Sequence, residues 1–547
     1  MTHEGMSLPD RRPRGDSDTM PLYPILDPYE LSDQLEDYRE QLPAETQTQL
    51  GDDDYVVHIV TPEVRSPQLT PSALHEIIRL ANAPSLAEVG KHGGPLASLS
   101  SQENADVEAL RKFEILHGRD ALRISLDLYD RFPDLLESTL LDLLRDQGQS
   151  DEPYNPGQPF RQEERGKIKL LTRQSDDPVG QKFSKKLGWG WPFYGSIDAT
   201  PTLISAIVKH TQTHSPDFLS TTYIDKDAVP RTVAEGLDRS TQWLLKKLQE
   251  NPEGLVEFQN PVESGGIAAQ AWKDSAFAYV HKDGSRANHH RGIASVEVQA
   301  LAYDALCDSA ELQAQLGDTR QAAFLQNQAD QLRKQIIDIF WVTNDLDHPE
   351  GFFALGSDRD ESGRLRTLDV RTSNMGHLLN SRLLEKDDEV TRYMRDTTIK
   401  HLFSPEMLHS SGIRTLASDE AGFRAGGYHT GTVWLWDTAH IANGLERHGH
   451  HRLAWDLRQR MWQTVGDTNA FPEFVRGDTD NQLRTSPSEV YVWNDTYKVL
   501  HLFEQPPQEI QGWTVSAILA AKYAYPHYLK NKDSLPILTL EQELLGL

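Results

Sequence analysis

Cysteine occurs once in the 547 residues, at position 307. No intramolecular disulfide and no thiolate-bound metal cluster can therefore form, and Cys307 is expected in the core. Basic charge is in deficit: 55 Lys and Arg stand against 82 Asp and Glu, a formal net charge of −27 at pH 7. Nucleic acid demands clustered Lys and Arg, and a field of this sign repels an anionic membrane surface as well. Neither is an expected partner, which leaves one that is neutral, small or cationic. No run reaches the roughly 18 apolar residues of a membrane span. Residues 1–20 are polar, without the apolar core of a secretory signal, so the expectation is a soluble cytoplasmic protein. GxxxxGK[ST], a GxGxxG after a strand, HExxH and GxSxG are also missing, so phosphate-loop, dinucleotide, zincin and serine-hydrolase chemistry lose their usual marks. The His289-His290 pair and the His448, His450, His451 group have no carboxylate at HExxH spacing. No cofactor and no metal are expected.

What is present is helical periodicity. Val298, Leu301, Ala305, Leu312 and Leu316 are three or four residues apart or at sums of these, Gly317-Asp318 breaks the run, and Leu325, Ala329, Leu332, Ile336 and Phe340 resume it. The same arrangement surrounds Gly449. Five helix hairpins follow, at about 119–147, 201–250, 294–341, 374–402 and 431–468, with a further helix at 511–526 and a possible partner near 104–116. Residues 1–20 read as a disordered tail, and 21–104 as a mixed extension with one strand-like run at Tyr55–Val64. The helical region takes 105–530 and a tail 531–547. Long aromatic- and glycine-rich segments separate the hairpins. In an up-down array every second junction lies at the same end, so these segments are expected on one face, where a site belongs. An open solenoid competes, but no fixed repeat period supports it.

The distinctive words lie in those junctions: HGRD at 117–120, WGWPFYGSIDATP at 189–201, QAWKDS at 270–275, GYHTGTVW at 427–434 and AFPEF at 470–474. Each joins aromatics to a carboxylate, imidazole or guanidinium, a mixture suited to the apolar faces and hydroxyls of a sugar. Glycoside hydrolysis needs a protonated carboxyl at the leaving oxygen and a second carboxylate for water or sugar. Asp274 is the candidate acid, against a plain reading as helix cap or ion pair. Glu473, set among Phe471, Pro472 and Phe474, is the candidate base, against a buried structural ion pair. For Arg119, Asp120 and Asp198, at helix starts, capping competes with hydroxyl recognition. His429 competes as a loop-orienting residue, and Trp191, Trp272 and Trp434 as core.

Together, and in this order, the words resemble the glucosidase part of the bacterial amylo-α-1,6-glucosidase (glycogen-debranching) family within the (α/α)6-barrel glycoside hydrolases. The resemblance runs from about Phe113 to Tyr525 and includes ASVEVQALAYDAL, SNMGHLL, SSGIRTLAS and IQGWTVSAIL. It implies an all-α (α/α)6 barrel with a short mixed N-terminal extension. The implied activity is that of an exo-acting, inverting α-glucosidase without a cofactor, acting on a small-molecule or oligosaccharide α-glucoside. Asp274 matches the family's general acid. Arg119 and Asp120 match its recogniser of the terminal glucose, with Trp191, Tyr194 and Asp198 lining the same subsite. Trp272, Lys273, Glu297, Gln299, His429 and Trp434 are implied pocket positions. Glu473 matches the proline-glutamate word of the bacterial relatives, with Glu489 and Glu509 in reserve. The chain departs from the family in its short segment before HGRD, in lacking any transferase-like part, and at Phe277, where relatives often carry an acid. Inversion predicts carboxyl groups roughly 6.5–9.5 Å apart. A sugar isomerase or epimerase using histidines, or a non-catalytic sugar-binding scaffold, are the other readings.

Overall fold

The computed structural model describes residues 98–99, 116–151, 162–169, 171–172, 192–264, 267–478, 488–494, 499–505, 507–508 and 510–530. Contacts divide the chain after Gln49, and every described residue belongs to the second unit, Leu50–Leu547. The expected tails, the Tyr55–Val64 strand, the helix near 104–116 and Trp191 lie outside the described residues.

Eleven α-helices are described: α1 Gly118–Asp127, α2 Pro133–Arg145, α3 Ala199–Thr213, α4 Val233–Glu250, α5 Val296–Gln315, α6 Thr319–Phe340, α7 Asn374–His377, α8 Glu389–Leu402, α9 Leu435–Arg447, α10 His451–Thr468 and α11 Gly512–Lys530. The odd-numbered helices form an inner ring. Each packs on the next, and α11 returns to α1 and closes it. The even-numbered helices pack behind their inner partners. The fold is an (α/α)6 barrel, as the periodicity and the resemblance led one to expect.

Local sequence explains the elements. On α6 the buried set is Leu325, Ala329, Leu332, Ile336 and Phe340, a one-sided stripe that marks an outer helix. Full burial of each large member stabilises by about 1.5–3 kcal/mol. Its inner partner α5 is buried on most of its circumference, Cys307 included, because it faces both the ring and the outer layer. Between them Gly317 sits at φ +87°, the left-handed conformation that ends α5, and the Asp318 carboxylate accepts from the Gln321 amide to start α6. Thr232 and Glu235 form a reciprocal capping box at the start of α4. The close approach of α9 to the 378–380 turn requires Gly444, where a Cβ would lie 2.7 Å from the Leu379 Cβ and 2.8 Å from the Asn380 amide.

α7 is only one turn long, continued by 3-10 turns at Leu378–Asn380 and Arg382–Leu384. Two-residue strands lead into four inner helices: Leu116–His117 into α1, Ala294–Ser295 into α5, Val433–Trp434 into α9 and Ile510–Gln511 into α11. Three of these pair antiparallel with segments of the long junctions, and the fourth with Ser98–Leu99 ahead of the barrel. Ala294 pairs with Ser357 in a three-stranded sheet with Leu365–Leu368, Trp434 pairs with Phe474, and Leu99 pairs with Ile510. Ser488–Asn494 and Val499–Gln505 form a hairpin in the register Ser488 to Gln505. The long junctions thus gather at the N-terminal ends of the inner helices, over an aromatic core that contains Trp272, Trp434, Trp436, Phe471, Phe474 and Trp513. No described helix is long and apolar enough to cross a membrane.

Candidate active site

The first turns of the inner helices carry the polar groups. Arg119 and Asp120 open α1, Asp198 immediately precedes α3, Glu297 is second on α5, Asn374 begins α7 and Asp437 is third on α9. These are the positive ends of the helix dipoles. At α1, α3, α5 and α9 the residue in the N-cap position makes no side-chain cap hydrogen bond. Asp198 is one of these, so its carboxylate is available for something other than capping.

Arg119 organises one wall. Its Nη1 donates to Asp198 Oδ2 at 3.2 Å, its Nη2 to Asp274 Oδ2 at 3.3 Å, and its Nε lies 3.6 Å from Asp120 Oδ2. One guanidinium faces three carboxylates, and Asp198 also accepts from Ser196 Oγ. Asp274 sits in a loop with no helix for it to cap, its side chain 30 % exposed. Withdrawal from water raises its pKa to about 6; Arg119 opposes that rise and Asp198 reinforces it. Burial lifts Asp120 further, to about 7, again against Arg119 and with help from the charges of Asp274, Asp198 and Glu473.

A second part of the site is built by pairing at the backbone. The Phe474–Val475 strand pairs with Val433–Trp434, while the Glu473 N–H donates to the Gln508 carbonyl at 2.9 Å. This fixes Glu473 between two junctions, 3 % exposed. Its Oε1 accepts from the Tyr428 hydroxyl at 2.6 Å and its Oε2 from the Gln508 N–H at 3.1 Å. Burial pushes the Tyr428 pKa well above 10, and the charges of Glu473, Asp274 and Asp120 push it in the same direction. The phenol therefore keeps its proton and donates.

Trp272 forms the floor. It stacks on His377 with ring centroids 5.8 Å apart and meets Trp434 and Trp436 edge-on at 5.9 and 5.0 Å. His377 Nε2 is 2.5 Å from Asp437 Oδ1. Glu297 Oε2 accepts from Asn374 at 2.7 Å, and burial raises its pKa. Lys273, fully buried, donates to the Thr415 carbonyl at 2.6 Å; burial lowers its pKa to about 8 against the pull of Asp437 and Glu297. Several buried polar atoms here have no hydrogen-bond partner: Asp120 Oδ2, Glu297 Oε1, Asp437 Oδ2, Trp272 Nε1, Trp436 Nε1 and His429 Nε2. Unpaired buried donors and acceptors are costly, and a polyhydroxylated ligand offers both partners they lack. A cavity of about 530 Å³ continues along the barrel axis, from Arg119, Asp198 and Glu297 to Gln212 and Arg447 near the far ends of α3 and α9.

The other expected residues divide. His429 bonds through Nδ1 to Ser275 Oγ at 2.9 Å and stacks on Trp434, so it touches the acid loop; burial holds it neutral, well below its usual pKa. The Trp434 Nε1–H donates to the Tyr428 carbonyl. Tyr194 and Gln299 are spent on the scaffold. The Tyr194 hydroxyl donates to the Asp146 carbonyl at 2.6 Å, and the Gln299 amide exchanges hydrogen bonds with the Val256 backbone at 2.8 and 2.9 Å. Phe277 packs against the main core. Glu509 and the side chain of Glu489 lie outside the described residues. Tyr428, Asn374, His377, Trp436 and Asp437 were missed, although Tyr428 stands inside the GYHTGTVW word and Asn374 and His377 inside SNMGHLL. Among the described residues one group, His348, Glu350 and His401, brings possible metal-ligand atoms within 4.8 Å of one another. His401 Nε2 already meets the Gly351 carbonyl there at 2.9 Å, and Glu350 pairs with Lys400 at 3.8 Å.

The helical barrel and its carboxylate-lined mouth fit a glycoside hydrolase. The family model of the mannosylglycerate hydrolase MGH1-like glycoside hydrolase domain matches residues 194–494, and the chain belongs to that family. The amylo-α-1,6-glucosidase resemblance thus holds at the level of a glycoside hydrolase on this barrel. The GH63 mannosylglycerate hydrolase from Thermus thermophilus, solved with Tris, is similar at a TM-score of 0.52 and 12% identity, covering 83% of this chain and 99% of that one. Its structure with glucose gives 0.50 at 12% identity, with the same coverage. An uncharacterized conserved protein from the same organism gives 0.50 at 13% identity, covering 82% and 99%. At these identities the likeness speaks for the fold. No curated protein matches the sequence.

Proposed function

We propose that this glycoside hydrolase is an inverting, exo-acting α-glucosidase that cleaves a terminal α-glucosyl bond, with Asp274 as general acid and Glu473 as general base. The observation that carries the reading is the contrast between the two carboxylates. Asp274 is pushed up to about 6 in a crowded carboxylate cluster, while Glu473 accepts from the Tyr428 hydroxyl and the Gln508 N–H. Asp274 gives its proton to the glycosidic oxygen as the bond to the anomeric carbon breaks. Glu473 takes a proton from water as that water attacks the opposite face, and one sugar hydroxyl of inverted configuration results. Arg119, Asp120 and Asp198 bind hydroxyls of the terminal sugar, Trp272 supports its apolar face, and Glu297 Oε1 meets a further hydroxyl.

A panel of maltose, isomaltose, sucrose, trehalose, glucosylglycerate and mannosylglycerate, with the anomer of the released sugar followed by NMR, tests the reading. Release of β-glucose from an α-glucoside is expected. Release of α-glucose would refute inversion, and mannose release alone would move the specificity to the mannosylglycerate type. Epimerised sugar without hydrolysis, or tight binding without turnover, would favour the isomerase or the scaffold.

A further inference from the structure

We infer that Tyr428 is a positioning residue for the general base: its hydroxyl fixes the Glu473 carboxylate in the rotamer that meets the attacking water and holds it ready to accept a proton. The inference rests on the assignment of Glu473 as base. A carboxylate on a flexible side chain must lose rotamer freedom to serve as a base, and Glu473 loses it to two donors on different elements. The Tyr428 hydroxyl takes Oε1 at 2.6 Å and the Gln508 N–H takes Oε2 at 3.1 Å. Tyr428 is itself immobilised. Its ring packs on His429, Trp434 and Phe474 with centroids 4.4, 5.1 and 5.4 Å away, and its carbonyl accepts from Thr432 Oγ1 at 2.6 Å and Trp434 Nε1 at 3.0 Å. Burial keeps the phenol protonated, so the short contact is an O–H donated to a carboxylate, the strong kind of hydrogen bond. A donor to the charged form favours that form. Of these two donors, the Gln508 amide cannot be removed by a side-chain change, whereas the Tyr428 hydroxyl can.

The test is Tyr428→Phe, which keeps the ring and its packing. The expected result is a fall in kcat of about ten- to a hundredfold, the scale of one hydrogen bond to a charged group. KM should change less than about twofold, and the acid limb of the kcat/KM profile should move to higher pH. In a Glu473→Gln background the same change should cost nothing further. Incorporation of a fluorinated tyrosine at 428, a stronger donor of the same shape, should move the acid limb to lower pH. An unmoved acid limb in both variants, or losses that multiply in the double variant, would overturn the inference. Wild-type activity in Glu473→Gln alone would remove the base assignment, a result that no Tyr428 variant can produce.

Discussion

The surroundings of Asp274 and of Glu473 hold carboxylates in different ways. At Asp274, charge meets charge: one arginine is shared among three acids, and burial lifts Asp274 and Asp120 to about 6 and 7. At Glu473 the partners include a phenol and a backbone amide, and the side chain is almost completely enclosed. Under the proposed roles, Asp274 keeps a proton to give and Glu473 accepts one. The difference lies in the partners found for each: a shared guanidinium with neighbouring acids at Asp274, and a phenol and a backbone amide among those at Glu473.

The strongest way to break this comparison is to remove each proton carrier. Asp274→Asn and Glu473→Gln should each reduce kcat by about 10²- to 10⁴-fold. Only the Asp274 variant should recover activity on a glycosyl fluoride, whose leaving group needs no proton. Recovery in both, or in neither, would erase the division of roles. Next in size is Arg119→Met, which leaves Asp120, Asp198 and Asp274 without their cation. A buried carboxylate stripped of its partner costs about 3–5 kcal/mol, so thermal unfolding should fall by many degrees, and any remaining activity should lose its basic limb at higher pH. The basic limb itself is the third test. Activity should decline as pH rises through about 6, where Asp274 loses its proton. Asp198→Asn, which removes a like charge, should move that limb to lower pH; an upward shift would contradict the electrostatics.

The smallest effect concerns stability. The Asp120 pKa is raised on folding, from 3.8 to about 7. Its protonated form therefore suits the fold, and the contribution is complete below the unfolded pKa and lost as pH rises from there through about 7. Asp120→Asn should accordingly unfold at a higher temperature than the wild type at pH 8 and at nearly the same temperature at pH 4, as read by calorimetry. A loss of stability at pH 8 would show that the carboxylate is paired more strongly than its surroundings indicate.

The barrel was largely legible. The α6 stripe was read residue for residue, and the Gly317-Asp318 break became the turn between α5 and α6. The site was legible in part. Motif words located Arg119, Asp120, Asp198, Asp274 and Glu473 near the junctions; Arg119 reaches the three aspartates, and the charge of Glu473 acts on Asp120. The same words could not separate Gln299 and Tyr194, which tie down backbone, from residues that face the pocket, since an amide or phenol serves either purpose. Asp437 went unread because it lies inside α9, where a carboxylate ordinarily marks a solvated face. Only the ring turns that face inward.

The sequence by itself determined what is local: the helical stripes, the glycine that ends α5, the aspartates that start α6 and α8, and the single cysteine that rules out a disulfide. Tertiary structure alone decided which acid meets which partner. Arg119 and Asp274 are 155 residues apart, Tyr428 and Glu473 45, and Gln508 and Glu473 35. Periodicity is set by 3.6 residues per turn and reads out along one helix. Those pairings arise only when six inner helices close into a ring and bring their N-terminal ends to a common mouth.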